Sequence, residues 1–176
     1  LEVSINIGCK VNCVYCPQST IMKRYRETSA DPSVRLDVAA FEHYIHTVPS
    51  EVDITFSGFS EPFLNSDTAE MILLSHRRGH KIRVYTTLVG LDLDSYNAIS
   101  SIPFEEFVIH LPDMERTSNI PVTADYLKLL ETIAKEPPQG IRFCILGRSL
   151  DPRIDRMLSD GGHEVVIIHI TEIGRA

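Results

Sequence analysis

The sequence has no tryptophan, only four cysteines, and no run approaching the roughly eighteen apolar residues of a membrane-spanning helix. Four cysteines in 176 residues are too few for a disulfide scaffold of the kind that replaces a core in small secreted chains. Positive charge is scarce as well: 17 Lys and Arg stand against 24 Asp and Glu, a formal net charge of −7. Such a chain lacks the cationic field that holds phosphate backbones, which weighs against general nucleic-acid coating. Gly/Ser-rich linkers, low-complexity tracts and internal repeats are missing, so residues 1–176 are expected to form one domain. No targeting segment is present, and a cytoplasmic location without membrane attachment is the expectation. The chain opens on Leu1 rather than methionine, so we expect it to be trimmed from a longer protein. What is abundant is apolar surface: 43% hydrophobic residues suit a buried core and exclude a mainly disordered chain.

Those residues fall into two alternating patterns. Short runs rich in Val, Ile and Phe start near positions 3, 52, 82, 106, 141 and 164, each of strand length. Most are too uniformly apolar for a half-exposed strand, which suits a sheet covered on one or both faces. Between them lie segments with helical spacing: Val38, Phe41, Tyr44, Ile45 and Val48; Met71, Ile72 and Leu74; Tyr96 and Ile99; Tyr126, Leu127, Leu129, Leu130 and Ile133; and Ile154, Met157 and Leu158. Ser66 and Asp67 are candidate caps for the second of these, with Gly79 ending it. Thr123 is the candidate cap of the fourth, which Pro137 and Pro138 stop. Strands alternating with helices predict parallel βαβ units with right-handed crossovers. The fold class is thus α/β, and the spacing predicts a partial (β/α)6 TIM-like barrel of parallel strands. A doubly wound open sheet fits the same pattern.

The first strand-to-strand interval is about twenty residues too long for a barrel unit, and three cysteines sit in the excess. The segment reads Gly8-Cys9-Lys10-Val11-Asn12-Cys13-Val14-Tyr15-Cys16-Pro17. Positions i, i+4 and i+7 share one helical face, and buried cysteine behaves as a small hydrophobe. Gly8 and Pro17 argue against a regular helix here. A structural zinc site wants four ligands, usually from two pairs, and no second pair exists. Three soft thiolates on one short loop suit an iron–sulfur cluster. A four-iron cubane held by three thiolates leaves one iron open to another ligand.

Cys9-x3-Cys13-x2-Cys16, with Tyr15 before the last cysteine and a strand before the first, resembles the signature of radical S-adenosylmethionine (SAM) enzymes. The resemblance implies that Cys9, Cys13 and Cys16 bind a [4Fe–4S] cluster and that Tyr15 lies near the adenine of SAM. After the second strand, Phe56-Ser57-Gly58-Phe59-Ser60-Glu61-Pro62 looks like the family's Gly-rich turn ending in Glu-Pro, with Ser60 in place of a glycine. By resemblance Gly58, Phe59, Ser60 and Glu61 hold the amino group of SAM; carbonyls and a carboxylate at a strand end can receive an ammonium. Thr86 and Thr87, in a turn similar to the family's Thr-Asn-Gly, are candidate hydrogen-bond partners of SAM, or turn residues. His110 and Asp113, where the fourth strand ends, occupy by resemblance the region that meets ribose or carboxylate, although a histidine beside a core strand also serves packing. Ile145 and Gly147 match part of the family's adenine-supporting pattern, and His169 closes the sixth strand where adenine contacts are implied. Cys144 alternates onto a strand face and reads as a buried thiol.

The implied chemistry is reductive cleavage of SAM to methionine and a 5′-deoxyadenosyl radical, which abstracts hydrogen from a substrate. A small organic molecule or a peptide is the favoured substrate class, and the resemblance implies an external one-electron reductant such as flavodoxin or ferredoxin. Lys23-Arg24-Tyr25-Arg26, expected as a loop, is a local basic cluster that either meets an anionic group or is simply solvated. Two other classes compete: a non-catalytic iron–sulfur protein for electron transfer or sensing, and a zinc-bound scaffold.

Overall fold

The computed structural model describes residues 1–29 and 34–168. Six strands form one sheet: β1 (Glu2–Val3), β2 (Ile54–Phe56), β3 (Ile82–Thr86), β4 (Glu106–His110), β5 (Ile141–Ile145) and β6 (Val165–Ile167). Every neighbouring pair is parallel, and the spatial order is the chain order, β1-β2-β3-β4-β5-β6. A doubly wound sheet would reverse direction part-way. Crossovers that always step the same way instead curl the sheet into a partial barrel, open between β1 and β6 among the described residues.

The helices are α1 (Gln18–Thr28), α2 (Val38–Ile45), α3 (Thr68–Arg77), α4 (Leu93–Ile99), α5 (Ala124–Lys135) and α6 (Pro152–Asp160). Asp37, Asp92 and Thr123 cap their helices through side-chain oxygens that accept the amides of Ala40, Ser95 and Tyr126. The core lies between these helices and one sheet face, where Ile54, Phe56, Ile82, Val84, Phe107, Ile109, Phe143 and Ile145 are buried. Burial alternates along β3 as buried, half-buried, buried, the period-two signature of a strand covered on one side.

The other face is the concave one, and it is polar. Arg83 bridges Asp53 at 3.0 Å and Glu106 at 4.0 Å, Arg142 reaches Glu106 at 3.1 Å, and the Tyr85 hydroxyl donates to Glu106 at 2.5 Å. The helix-side face is therefore apolar and covered, while the concave face sets these charged groups beside buried Val108 and Cys144.

Two sequence expectations change. The first strand, expected to run a full strand length from about residue 3 through the apolar Ile5 and Ile7, is only Glu2–Val3, because residues 5–7 turn from the sheet to residues 34–36. There Ile7 donates to Val34 and Leu36 to Ile5, and Asn6 bridges Arg35 in antiparallel sense. Lys23-Arg24-Tyr25-Arg26 is not a loop but the middle of α1, where Arg24 pairs with Glu27 at 3.8 Å on an exposed face. Its helical signal is weak because α1 carries only two aliphatic side chains, Ile21 and Met22, and few apolar positions for a periodic stripe. Among the described residues no helix is long and apolar enough to cross a membrane.

Candidate functional site

The C-terminal ends of the strands open onto one cavity of about 260 Å³. Its wall brings together the cysteine loop (Cys9, Cys13, Tyr15, Cys16), the turn after β2 (Gly58 to Glu61), Thr86 and Thr87 after β3, and His110 at the end of β4. Of the candidate residues, Ile145 stands apart. It is buried on the helix side of β5, and the period of two places Leu146 on the cavity instead. His169 lies outside the described residues. Asp113 is buried and bonded within its own loop, accepting the Thr117 amide at 3.0 Å and the Thr117 hydroxyl.

The cysteine loop is irregular, as Gly8 and Pro17 require. Gly8 at φ +97° and Asn12 at φ +48° turn the chain through left-handed backbone. The Val11 amide donates to Cys9 Sγ at 3.4 Å, and the Gln18 amide donates to Cys16. Burial pushes the Cys13 thiol above its usual range; a hydrogen bond with Tyr15 opposes this, and the nearby Cys9 and Cys16 charges add to it. Cys16 is raised by burial, against the Gln18 amide and with help from Cys9. Tyr15 is raised by burial and by its bond with Cys13.

A metal reverses this balance, since a bound cation favours the thiolate. The donor set fits an iron–sulfur cluster in kind: soft sulfur ligands on one wall, with backbone amides directed at two of them. Among the described residues no three His, Cys, Asp or Glu side chains gather around one point as a single ion requires. Thiolates that each bind a separate iron have no such need.

Glu61 is buried, yet its carboxylate has four donors: Thr86 hydroxyl, Thr87 amide and Thr87 hydroxyl, each at 2.6 Å, and the Phe63 amide at 3.3 Å. Thr86 and Thr87 thus bond Glu61 and tie the turn after β2 to the end of β3. Burial raises the Glu61 carboxyl above its usual value despite these bonds. No cation pairs with it among the described residues. A carboxylate beside a cavity with four donors and no counter-ion offers an acceptor to an incoming ammonium. Gly58, at φ +105°, is packed so tightly on Ser4 that a Cβ would collide with the Ser4 hydroxyl.

Several contributors are not evident from sequence. Asn6 donates from Nδ2 to the Glu61 carbonyl at 3.1 Å, and Ser60 donates to the Asn6 carbonyl at 2.9 Å, which locks the Glu-Pro turn to the segment before the cysteines. Gln18 lines the cavity, is buried, and has a side-chain oxygen without a partner. A polar residue just after Pro17 was its only signal. Tyr85 forms part of the floor, its hydroxyl held by Glu106. Burial keeps the His110 imidazole below its ordinary pKa, hence neutral. Cys144 is a buried thiol, raised to about 12 by burial, with Sγ 3.5 Å from the Ile109 carbonyl.

No family model matches the chain. No curated protein matches it either. Among solved structures, the chain is similar to the crystal structure of BtrN in complex with AdoMet and 2-DOIA, with a TM-score of 0.52 at 14% identity. The likeness is one of fold. It covers 97% of this chain and 56% of that one, so this chain spans just over half of that chain's length.

Proposed function

We propose that this chain is the core of a radical SAM enzyme, with Cys9, Cys13 and Cys16 as ligands of a [4Fe–4S] cluster and SAM in the adjoining cavity. The observation that carries the reading is the meeting, on one 260 Å³ cavity at the strand ends, of three thiols and a buried, hydrogen-bonded carboxylate that has no cationic partner among the described residues. The resemblance of the cysteine loop to the family signature agrees with it. So does a fold shared with a protein crystallised with AdoMet. Cys9, Cys13 and Cys16 would hold the cluster, which when bound would supply the one-electron reduction that cleaves a carbon–sulfur bond of the SAM sulfonium.

The chain's own residues bind and orient. Glu61 and the carbonyls of Gly58 to Ser60 receive the amino group, while Thr86 and Thr87 hold the Glu61 carboxylate in place. Tyr15, beside Cys13, offers an aromatic face to the adenine. Neutral His110 contributes a donor or acceptor to the ribose or carboxylate side of the cavity. The substrate is a small organic molecule or a peptide, reached from the open concave side, and the electron comes from an external reductant of the flavodoxin or ferredoxin type.

Anaerobic reconstitution with iron and sulfide tests this reading. We expect about four irons and four sulfides per chain, broad absorbance in the visible blue, and binding of SAM that alters the spectrum of the reduced protein. Zinc without iron after anaerobic purification, or a cluster indifferent to SAM, would overturn it.

A further inference from the structure

The cysteine loop follows β1, an edge strand, yet it is bonded to the loop after β4, three strands away. The Val14 amide donates to the Thr117 carbonyl and the Asn119 amide donates to the Val11 carbonyl, each at 2.8 Å. The cysteine loop therefore arches across the mouth of the open barrel instead of resting on β1 alone.

The loop that receives it is itself held from two sides. Asp113 is buried and accepts both donors of Thr117, the amide at 3.0 Å and the hydroxyl. Glu115 accepts the Arg148 amide at 3.0 Å, the Ser149 amide at 3.3 Å and the Ser149 hydroxyl at 2.9 Å, which ties the same loop to the turn after β5. Gly147 makes room for this junction. A Cβ there would stand 2.6 Å from Asp113 Cβ and from Glu115 Oε2. In this structure the close approach to Asp113 and Glu115 accounts for a glycine at position 147.

We infer that Asp113 and Thr117 are positioning residues whose tether fixes the Cys13–Cys16 arm over the cavity; this rests on the proposal that these cysteines hold a cluster. The amide of Val14 lies between two of the three thiols, so its partner sets where both point. The arm belongs to no helix or strand; a turn bond from the Cys16 amide to the Cys13 carbonyl at 3.0 Å makes it one unit, and Gly8 and Asn12 turn the chain ahead of it through left-handed backbone. Its reference is the Thr117 carbonyl, and that peptide is held by the Asp113 carboxylate.

Hydrogen exchange in the full chain, before any iron is added, reads the tether directly. Thr117→Val removes the hydroxyl at nearly constant volume, Thr117→Ser keeps it, and Asp113→Asn removes the charge. We expect exchange in residues 11–16 to accelerate about tenfold in Thr117→Val and Asp113→Asn, as for one lost hydrogen bond, and to stay at the wild-type rate in Thr117→Ser. After anaerobic reconstitution the first two should retain less iron and show an altered electron paramagnetic resonance line shape with SAM. Unchanged exchange in residues 11–16 of a folded Thr117→Val overturns the inference, as does uniform acceleration along the whole chain. If Asp113→Asn does not fold, Thr117→Val against Thr117→Ser decides alone. A wild-type chain that takes up no iron would sink the proposed function, while the exchange pattern still decides the tether.

Discussion

At the residue scale the site depends on groups placed against their own ionisation. Cys13 and Cys16 are thiols raised by burial, and Glu61 is a carboxyl raised by burial. For Glu61 the consequence for stability has a definite sign. Between its usual 4.5 and its raised native value, the native chain keeps a proton that the unfolded chain has lost. The Glu61 contribution is therefore full below pH 4.5 and falls as pH rises through the native value, by at most about 1.4 kcal/mol per pH unit. Urea midpoints for wild type and Glu61→Gln across this range should show the wild type losing ground to the variant as pH rises. A difference that is flat or grows with pH would contradict the burial argument. Cys13 gives a second test. It is half-buried, so Cys13→Ala should cost only about 1 kcal/mol in urea unfolding. Iron uptake should nevertheless be lost. A Cys13→Ala chain that retains its full iron content would refute the ligand assignment.

At the element scale, legibility follows periodicity. α5 could be read from Tyr126, Leu129, Leu130 and Ile133 with Thr123 as its cap, and the structure places Ala124–Lys135 there with the cap bond at 3.1 Å. Thr123→Ala should cost about 1 kcal/mol, and Leu130→Ala, fully buried, about 2–5 kcal/mol, both measured by urea unfolding. An equal cost for the two would contradict the assigned burial. α1 could not be read in the same way, since a polar helix such as Gln18–Thr28 leaves no apolar stripe. The apolar pattern of β1 runs past the strand itself for a complementary reason. Its apolar residues Ile5 and Ile7 continue the strand pattern, but hydrogen bonds to residues 34–36 take them out of the sheet. Turn residues separate by how many bonds they make. Glu61 could be found through the resemblance of its Glu-Pro turn to the family's, whereas Asn6 acts through a contact made only in three dimensions and Gln18 is placed on the cavity wall by the fold alone.

At the scale of the whole molecule, six parallel strands in chain order leave, among the described residues, a concave face that carries charged groups and one open seam. The apolar runs made strands legible, and the choice between one covered face and two is decided by Arg83, Glu106 and Arg142, which the pleat sends to the concave face. Composition predicted one domain; the arched cysteine loop, joined to the loop after β4, shows how its open end is organised around a single cavity. The measurement that reaches furthest is 5′-deoxyadenosine formed from SAM by the reconstituted full chain with dithionite under anaerobic conditions, beside Cys13→Ala. We expect reductant-dependent 5′-deoxyadenosine and methionine in equal amounts from the wild type and none above background from the variant. Cleavage-free wild-type protein with a full, reducible cluster, or equal product from Cys13→Ala, would contradict a radical SAM site at this cavity.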